Sequence, residues 1–147
     1  MVEKSATARW NGSLMEGSGT FTANSGVIVD SPISWASRTN ESNGQTSPEE
    51  LLASAHAACY AMAFSHHLST NFSAPTSLDV TSTVGFGPRP DGQGMRVTHS
   101  HLVVRGSVPD MDAETFSKAA TDAEAGCPVS GALRGNIDIT VEASLIQ

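Results

Sequence analysis

One long segment of mostly apolar, helix-forming residues constrains this chain more than any other feature. It runs from Ser47 to Leu68 and reads SPEELLASAHAACYAMAFSHHL. Ser47 is a good N-cap, Pro48 suits the first helical position, and Glu50 completes a capping box. Because apolar residues cover nearly the whole circumference, the segment predicts a central helix that is buried on every side. Cys59, one of two cysteines in the chain, lies in its middle.

Composition and charge narrow the class of protein. The chain has 147 residues, which favours a single domain over 1–147 with a core that needs no disulfide staples. The net charge is −7 at pH 7 and the cations are scattered, so a basic surface for nucleic acid is not expected. The first residues lack the apolar segment of a signal peptide, and no apolar run spans a bilayer comfortably. We therefore expect a cytoplasmic protein without membrane partners.

Shorter patterns before the long helix predict a small sheet. Lys4–Trp10, Gly17–Ala23 and Val27–Asp30 are strand-like and are separated by turn signals, which indicates an antiparallel meander. A polar segment, 31–46, then forms a loop longer than the usual connection, and such loops are often functional. Arg38 is the only cation in this segment.

Patterns after the long helix predict further strands and shorter helices. Leu78–Phe86 and Met95–Val108 are expected strands, and the second changes its apolar phase near His99, which requires a bulge or two covered faces. Asp112 is expected to cap a second helix. The alternation from Ile137 to Leu145 predicts the last strand. The order of elements indicates an α+β fold with helices on one face of antiparallel sheet.

The two cysteines pose the functional question. Cys59 has a simple explanation as an inert core thiol, since free cysteine is among the most buried residue types. Cys127 stands between Gly126 and Pro128, at the expected N-cap of a short helix, where the helix dipole favours thiolate. One thiol on an accessible turn and one in a buried helix are the arrangement of a peroxidatic and resolving pair. A buried thiol needs a nearby charge to ionise, and Arg38 is the expected cation if its loop folds over Cys59.

The histidines do not form a recognisable metal site. His66 and His67 are adjacent and would diverge on a helix, whereas His99 and His101 share a strand face but lack a third ligand in the sequence. His56 is expected to be a hydrogen-bonded core histidine, and a supporting role for the nearby cysteine stays open. Phosphate-binding loops and dinucleotide fingerprints are absent from the sequence.

Two segments, SPEELLASAHAACYAMAFS and AGCPVSGAL, resemble the signature segments of the OsmC/Ohr family of organic-hydroperoxide peroxidases. The AHAAC motif resembles the OsmC branch rather than the Ohr branch, and the resemblance extends over essentially the whole chain. It implies an OsmC-like domain that forms an intertwined α+β homodimer with two active sites at the interface. It also implies that the reaction needs no metal, haem or flavin cofactor.

The resemblance assigns roles to four residues. Cys59 resembles the peroxidatic cysteine and Cys127 the resolving one, while Arg38 and Glu49 resemble the residues that activate and position Cys59. The implied reaction passes through a Cys59 sulfenic acid and a Cys59–Cys127 disulfide, which an external dithiol reduces. Related family members use lipoyl-protein thiols as the reductant. The apolar helix around Cys59 favours an organic hydroperoxide over hydrogen peroxide.

Helix geometry limits how Glu49 can act. Glu49 precedes Cys59 by ten positions on the predicted helix. At ~1.5 Å of rise per residue, their backbones are about 15 Å apart, which a glutamate side chain cannot span. If both residues serve one site, two central helices must run antiparallel across a dimer. Glu49 of one subunit would then approach Cys59 of the other.

Two other functions remain open on the sequence alone. One is a non-catalytic, apolar-ligand-binding dimer that holds a fatty or aromatic molecule and has inert cysteines. The other is a purely structural, stress-related dimer. Consumption of an organic hydroperoxide in the presence of a dithiol would separate the peroxidase from both.

Overall fold

Two three-stranded sheets and four helices make up residues 1–146, which the computed structural model describes. These residues divide into two units, one that ends at Leu51 and one that begins at Leu52. Within the described range, no helix is long and apolar enough to cross a membrane.

The first unit contains the expected antiparallel meander. Its strands are β1 (Ala6–Asn11), β2 (Ser18–Ala23) and β3 (Ser31–Ile33), and β2 pairs with both neighbours. A short helix, α1 (Ala36–Thr39), follows. The segment predicted as an irregular loop therefore contains a strand and a helical turn.

The prediction of a third strand at Val27–Asp30 is wrong. Val27 and Val29 are 86% and 63% exposed, so their alternation marks no buried face. Asp30 has a φ of 48°, a left-handed conformation that interrupts an extended chain. The strand forms one residue later, where Ser31 pairs with Phe21.

The long helix α2 (Pro48–Asn71) begins where its capping residues predict. The Glu50 N–H donates to the Ser47 hydroxyl at 3.2 Å. The prediction of burial on every side is not met within one chain, since Met62 is 68% exposed and Ala55 and Ala58 are also exposed. In the second unit, the fully buried residues of α2 form one row at four-residue spacing: His56, Tyr60, Phe64 and Leu68.

The second unit has a mixed sheet, and the prediction of purely antiparallel sheet is wrong here. β4 (Ser77–Pro88) and β5 (Met95–Ser107) pair antiparallel, whereas β5 and β6 (Asp138–Leu145) pair parallel. The reason is the connection between β5 and β6, which passes through α3 (Ala113–Glu124) and α4 (Pro128–Leu133). A helical crossover returns the chain to the same end of the sheet, which makes the next strand parallel.

The phase change predicted in β5 corresponds to a register shift in the β4–β5 pair. Val84 lies opposite Ser100, and the next pair joins Phe86 to Val97, so the ladder is irregular between them. This confirms that a bulge separates the two apolar phases. After the shift, β5 contributes Leu102 and other buried residues to the core.

Helix α3 covers the same core as α2. The Asp112 carboxylate accepts a hydrogen bond from the Thr115 N–H at 2.8 Å, which confirms the predicted cap. Phe116 is fully buried and its ring centroid is 5.2 Å from that of Phe64. The inner face of α3 consists of its buried residues, which are Phe116, Ala119, Ala120 and Ala123.

We predict that Gly106→Ala destabilises the protein because Gly106 allows close contact between β5 and α3. A Cβ at this position would lie 2.6 Å from Cδ2 of Leu78 and 2.8 Å from Cζ of the fully buried Phe116. We expect the free energy of unfolding to fall by about 1–3 kcal/mol, measured by urea denaturation.

Gly131→Ala on α4 is the matched control. A Cβ at Gly131 meets nothing within 4 Å. The control should be as stable as the wild type or more stable by up to about 1 kcal/mol, since alanine favours a helix over glycine. Equal stabilities for the two variants would contradict close packing at Gly106.

Candidate active site

The two cysteines lie together in the second unit. Cys59 is half-buried on α2, and Cys127 is 1% exposed at the start of α4; both are free thiols. The two side chains are within hydrogen-bonding distance of each other. The expected exposures are reversed: the cysteine on the turn is the buried one, because the turn packs Cys127 into the core that Phe116 and Tyr60 also fill.

The first turn of α4 contacts both sulfur atoms. Cys127 is the N-cap, as predicted, and its Sγ accepts a hydrogen bond from the Ser130 N–H at 3.5 Å. The Val129 backbone N–H donates to Cys59. Pro128, at the first helical position, has no N–H to contribute. The N–H groups of Val129 and Ser130 therefore each donate to one of the two sulfur atoms.

The surroundings of Cys59 favour the protonated thiol. Burial raises its pKa above the ordinary 9.0, and the Cys127 side chain raises it further through a hydrogen bond and through charge repulsion. The hydrogen bond from Val129 acts in the opposite direction but does not reverse the shift. Among the described residues, the groups that shift this pKa include no cation. A thiolate at Cys59 at neutral pH thus requires a positive charge that these groups do not supply.

Arg38 and Glu49 form the second predicted pair, within the first unit. The guanidinium donates from Nη2 to Oε1 of Glu49 at 2.6 Å and from Nε to Oε2 at 3.2 Å. Glu49 is only 8% exposed, and Arg38 lies 5.5 Å from the ring centroid of Trp35. This two-pronged geometry fixes the direction of the guanidinium as well as its position.

An apolar groove borders Arg38 in the first unit. Its volume is about 240 Å³, and its lining is mainly carbon. A groove of this kind accommodates an alkyl or aromatic group next to a cation. Besides Arg38, its lining includes Trp10, Leu14, Ile33, Trp35 and Pro48.

The four predicted site residues therefore occur as two pairs, one in each unit. The structure brings Cys59 to Cys127 and Arg38 to Glu49. Cys59 and Cys127 are far apart in the sequence, whereas Arg38 and Glu49 are eleven positions apart.

A buried polar network next to the cysteines is the feature that the sequence reveals least. His56 is fully buried, as expected of a core histidine, and its ring nitrogens bond to Ser100 at 2.7 Å and Ser130 at 2.8 Å. Ser82 continues the network with a 3.0 Å contact to Ser100. Burial lowers the pKa of His56, partly offset by the charge of Glu124, so the ring is neutral at pH 7. The serines lie 44 and 74 positions from His56, too far for any spacing motif.

Of the other histidines, His66 and His67 lie on α2, and His99 and His101 lie on β5. His101 contacts the Thr140 hydroxyl at 2.7 Å and the Glu142 carboxylate at 3.8 Å, and His99 contacts Thr98. Within residues 1–146, no group of three metal-binding side chains is placed to hold a metal ion.

The chain is similar in sequence and in structure to known proteins. The model of the OsmC family, described as OsmC-like protein, matches residues 40–142. The chain is 38% identical over 138 residues to "Peroxiredoxin OsmC" of Escherichia coli (strain K12), covering 94% of each chain. It is 35% identical over 97 residues to an "Organic hydroperoxide resistance protein" of Xanthomonas axonopodis pv. citri, covering 65% of each. The solved OhrB of Bacillus subtilis superposes with a TM-score of 0.74 at 26% identity, covering 95% of this chain and 98% of that one.

Proposed function

This chain belongs to the OsmC family, and on that premise we propose that it is a cysteine-based peroxidase that reduces organic hydroperoxides to alcohols. The names of its relatives support a redox function that involves hydroperoxides. The observation that carries the proposal is the contact between the Cys59 and Cys127 thiols. Two thiols this close can form a disulfide without a large movement of the backbone.

The proposed reaction uses the two thiols in sequence. The Cys59 thiolate attacks one peroxide oxygen, the O–O bond breaks, and the leaving alkoxide takes a proton to become the alcohol. Cys59 is left as a sulfenic acid. Cys127 then forms a bond to the Cys59 sulfur as its S–O bond breaks, which releases water and leaves a disulfide. An external dithiol reduces the disulfide by exchange; lipoyl-protein thiols are one candidate.

The exposures of the cysteines support this division of roles. Cys59 is the more exposed of the two and can meet a substrate, whereas Cys127 is buried and reacts only with a partner already in contact with it. We assign Arg38 the role of the cation that stabilises the Cys59 thiolate, with Glu49 fixing its direction. The apolar groove beside Arg38 supports an alkyl or aryl hydroperoxide as the substrate.

We further propose a homodimer with Glu49 and Arg38 of one subunit completing the site of the other. Ten positions of helix separate Glu49 from Cys59, about 15 Å at ~1.5 Å per residue, so one straight helix cannot bring them together. The exposed face of α2 that carries Ala55, Ala58 and Met62 is the kind of apolar surface that soluble proteins usually cover.

We predict that Cys59→Ser abolishes turnover and that Cys127→Ser reacts once and then stalls. Cys59 supplies the nucleophile, so its loss removes the first step; Cys127 is needed only to resolve the sulfenic acid. The measurement is intact mass after one equivalent of cumene hydroperoxide, with dimedone added to trap a sulfenic acid. The wild type should lose two hydrogens. A wild type whose mass stays unchanged would favour the binding protein with inert cysteines.

We predict that Arg38→Ala raises the pKa of Cys59 relative to that of the wild-type dimer, because burial and the Cys127 side chain then act without a compensating cation. Each unit by which this pKa rises lowers the thiolate fraction at pH 7 about tenfold, so we expect the rate at pH 7 to drop by roughly tenfold or more. Thiolate absorbance across pH measures the shift. Arg9→Ala, an exposed cation in the same unit, is the control. An unchanged titration of Cys59 in Arg38→Ala would remove Arg38 from this role.

We predict that two inactive variants, Cys59→Ser and Glu49→Ala, regain activity when they are mixed and exchange subunits. In the mixed dimer one site would have both residues intact and the other would have neither. Peroxide consumption is measured after exchange has been verified by native mass spectrometry. A mixed dimer that remains inactive would contradict a site shared between subunits.

A further inference from the structure

The fully buried His56 connects the helix of one cysteine to the turn of the other. His56 lies on α2, three residues before Cys59. Its Nε2 is 2.8 Å from the hydroxyl of Ser130, which lies three residues after Cys127 in the first turn of α4. One side chain thus joins the two cysteine-bearing segments through a single short hydrogen bond.

Ser130 also forms a hydrogen bond with a cysteine sulfur. Its N–H donates to Sγ of Cys127 at 3.5 Å, and the preceding Val129 N–H donates to Cys59. A displacement of the first turn of α4 would therefore move both contacts at once. The Ser130 residue is fully buried, and its bond to His56 is, with the Val129 bond to Cys59, an interaction that holds this turn against α2.

The other side of the ring is fixed to the sheet. Nδ1 of His56 contacts the Ser100 hydroxyl on β5 at 2.7 Å, and Ser100 contacts Ser82 on β4 at 3.0 Å. Both ring nitrogens therefore have serine hydroxyls as their hydrogen-bond partners. Neither thiol is among these partners, so the geometry favours a positioning role over direct proton transfer.

We propose that His56 is a positioning residue for disulfide formation, holding the Cys127 turn against the Cys59 helix through Ser130. The inference rests on the proposed function. The step it serves joins the Cys127 sulfur to the Cys59 sulfur while the sulfenic S–O bond breaks, and the hydroxide leaves as water with the proton from Cys127. Disulfides tolerate little variation in the separation of their two backbones, so this step depends on the turn more than the attack on peroxide does.

The test is a single-turnover comparison of Ser130→Ala with Ser82→Ala. Each variant removes one hydroxyl from the same polar chain, but only Ser130→Ala disconnects the Cys127 turn. In Ser130→Ala, we expect hydroperoxide consumption to stay within about threefold of the wild type, while disulfide formation slows by roughly tenfold or more. Dimedone-trapped sulfenic acid should accumulate. Ser82→Ala should follow the wild type in both steps.

Two further measurements keep the outcome decisive. His56→Gln, whose amide can reach toward Ser130, should recover part of the disulfide rate that His56→Ala loses. The second is the equilibrium between Cys59–Cys127 thiols and disulfide in a glutathione buffer, which needs no peroxidase activity. There, Ser130→Ala should lower the stability of the disulfide relative to Ser82→Ala.

The possible failures are distinguishable. If the wild type consumes no hydroperoxide but the glutathione equilibrium still separates the two serine variants, the proposed function fails and the positioning role stands. If Ser130→Ala and Ser82→Ala slow both steps equally, His56 is only structural and the positioning role is overturned. The same holds if the two variants shift the thiol–disulfide equilibrium only in proportion to their loss of stability in urea.

Discussion

The packing of one face of α2 is the contact on which the second unit depends. His56, Tyr60, Phe64 and Leu68 recur at every fourth position and are all fully buried. The Phe64 ring lies against Phe116 of α3, and the Tyr60 hydroxyl donates to a backbone carbonyl of α3. Because a helix turns by about 100° per residue, the residue before Tyr60 falls at the margin of this face. Cys59 is consequently held in place by the core but remains partly accessible.

A histidine in such a core is costly unless its polar atoms are satisfied. Both nitrogens of His56 reach serine hydroxyls, and across the described residues no buried side-chain nitrogen or oxygen lacks a hydrogen-bond partner. An apolar side chain could fill the same volume without this cost. The imidazole differs from an apolar side chain in that its two hydrogen bonds join α2 to a strand on one side and to the turn of α4 on the other.

The environment that holds Cys59 also opposes its ionisation. Burial and the neighbouring Cys127 both raise its pKa, and the single hydrogen bond from Val129 does not compensate. Chemistry at this thiol therefore depends on a positive charge that the groups shifting its pKa do not supply. Arg38 is the cation that we propose for this role, and within its own unit the buried Glu49 carboxylate orients the guanidinium through two hydrogen bonds. The carboxylate also offsets part of the positive charge, so it fixes the direction of the guanidinium but weakens the electric field that the guanidinium exerts on its surroundings.

The sequence by itself determined the long helix and its cap, the two cysteine segments, the family and the alternation of the last strand, because these depend on neighbouring residues. It failed for Val27–Asp30, where exposed valines imitate a strand, and for the parallel pairing of β6, which depends on a crossover. It also placed Cys127 on an accessible turn, whereas packing buries it. Only the tertiary structure decided that His56 meets Ser130 and Ser100, since hydrogen bonds between residues 74 and 44 positions apart leave no periodic pattern in the chain.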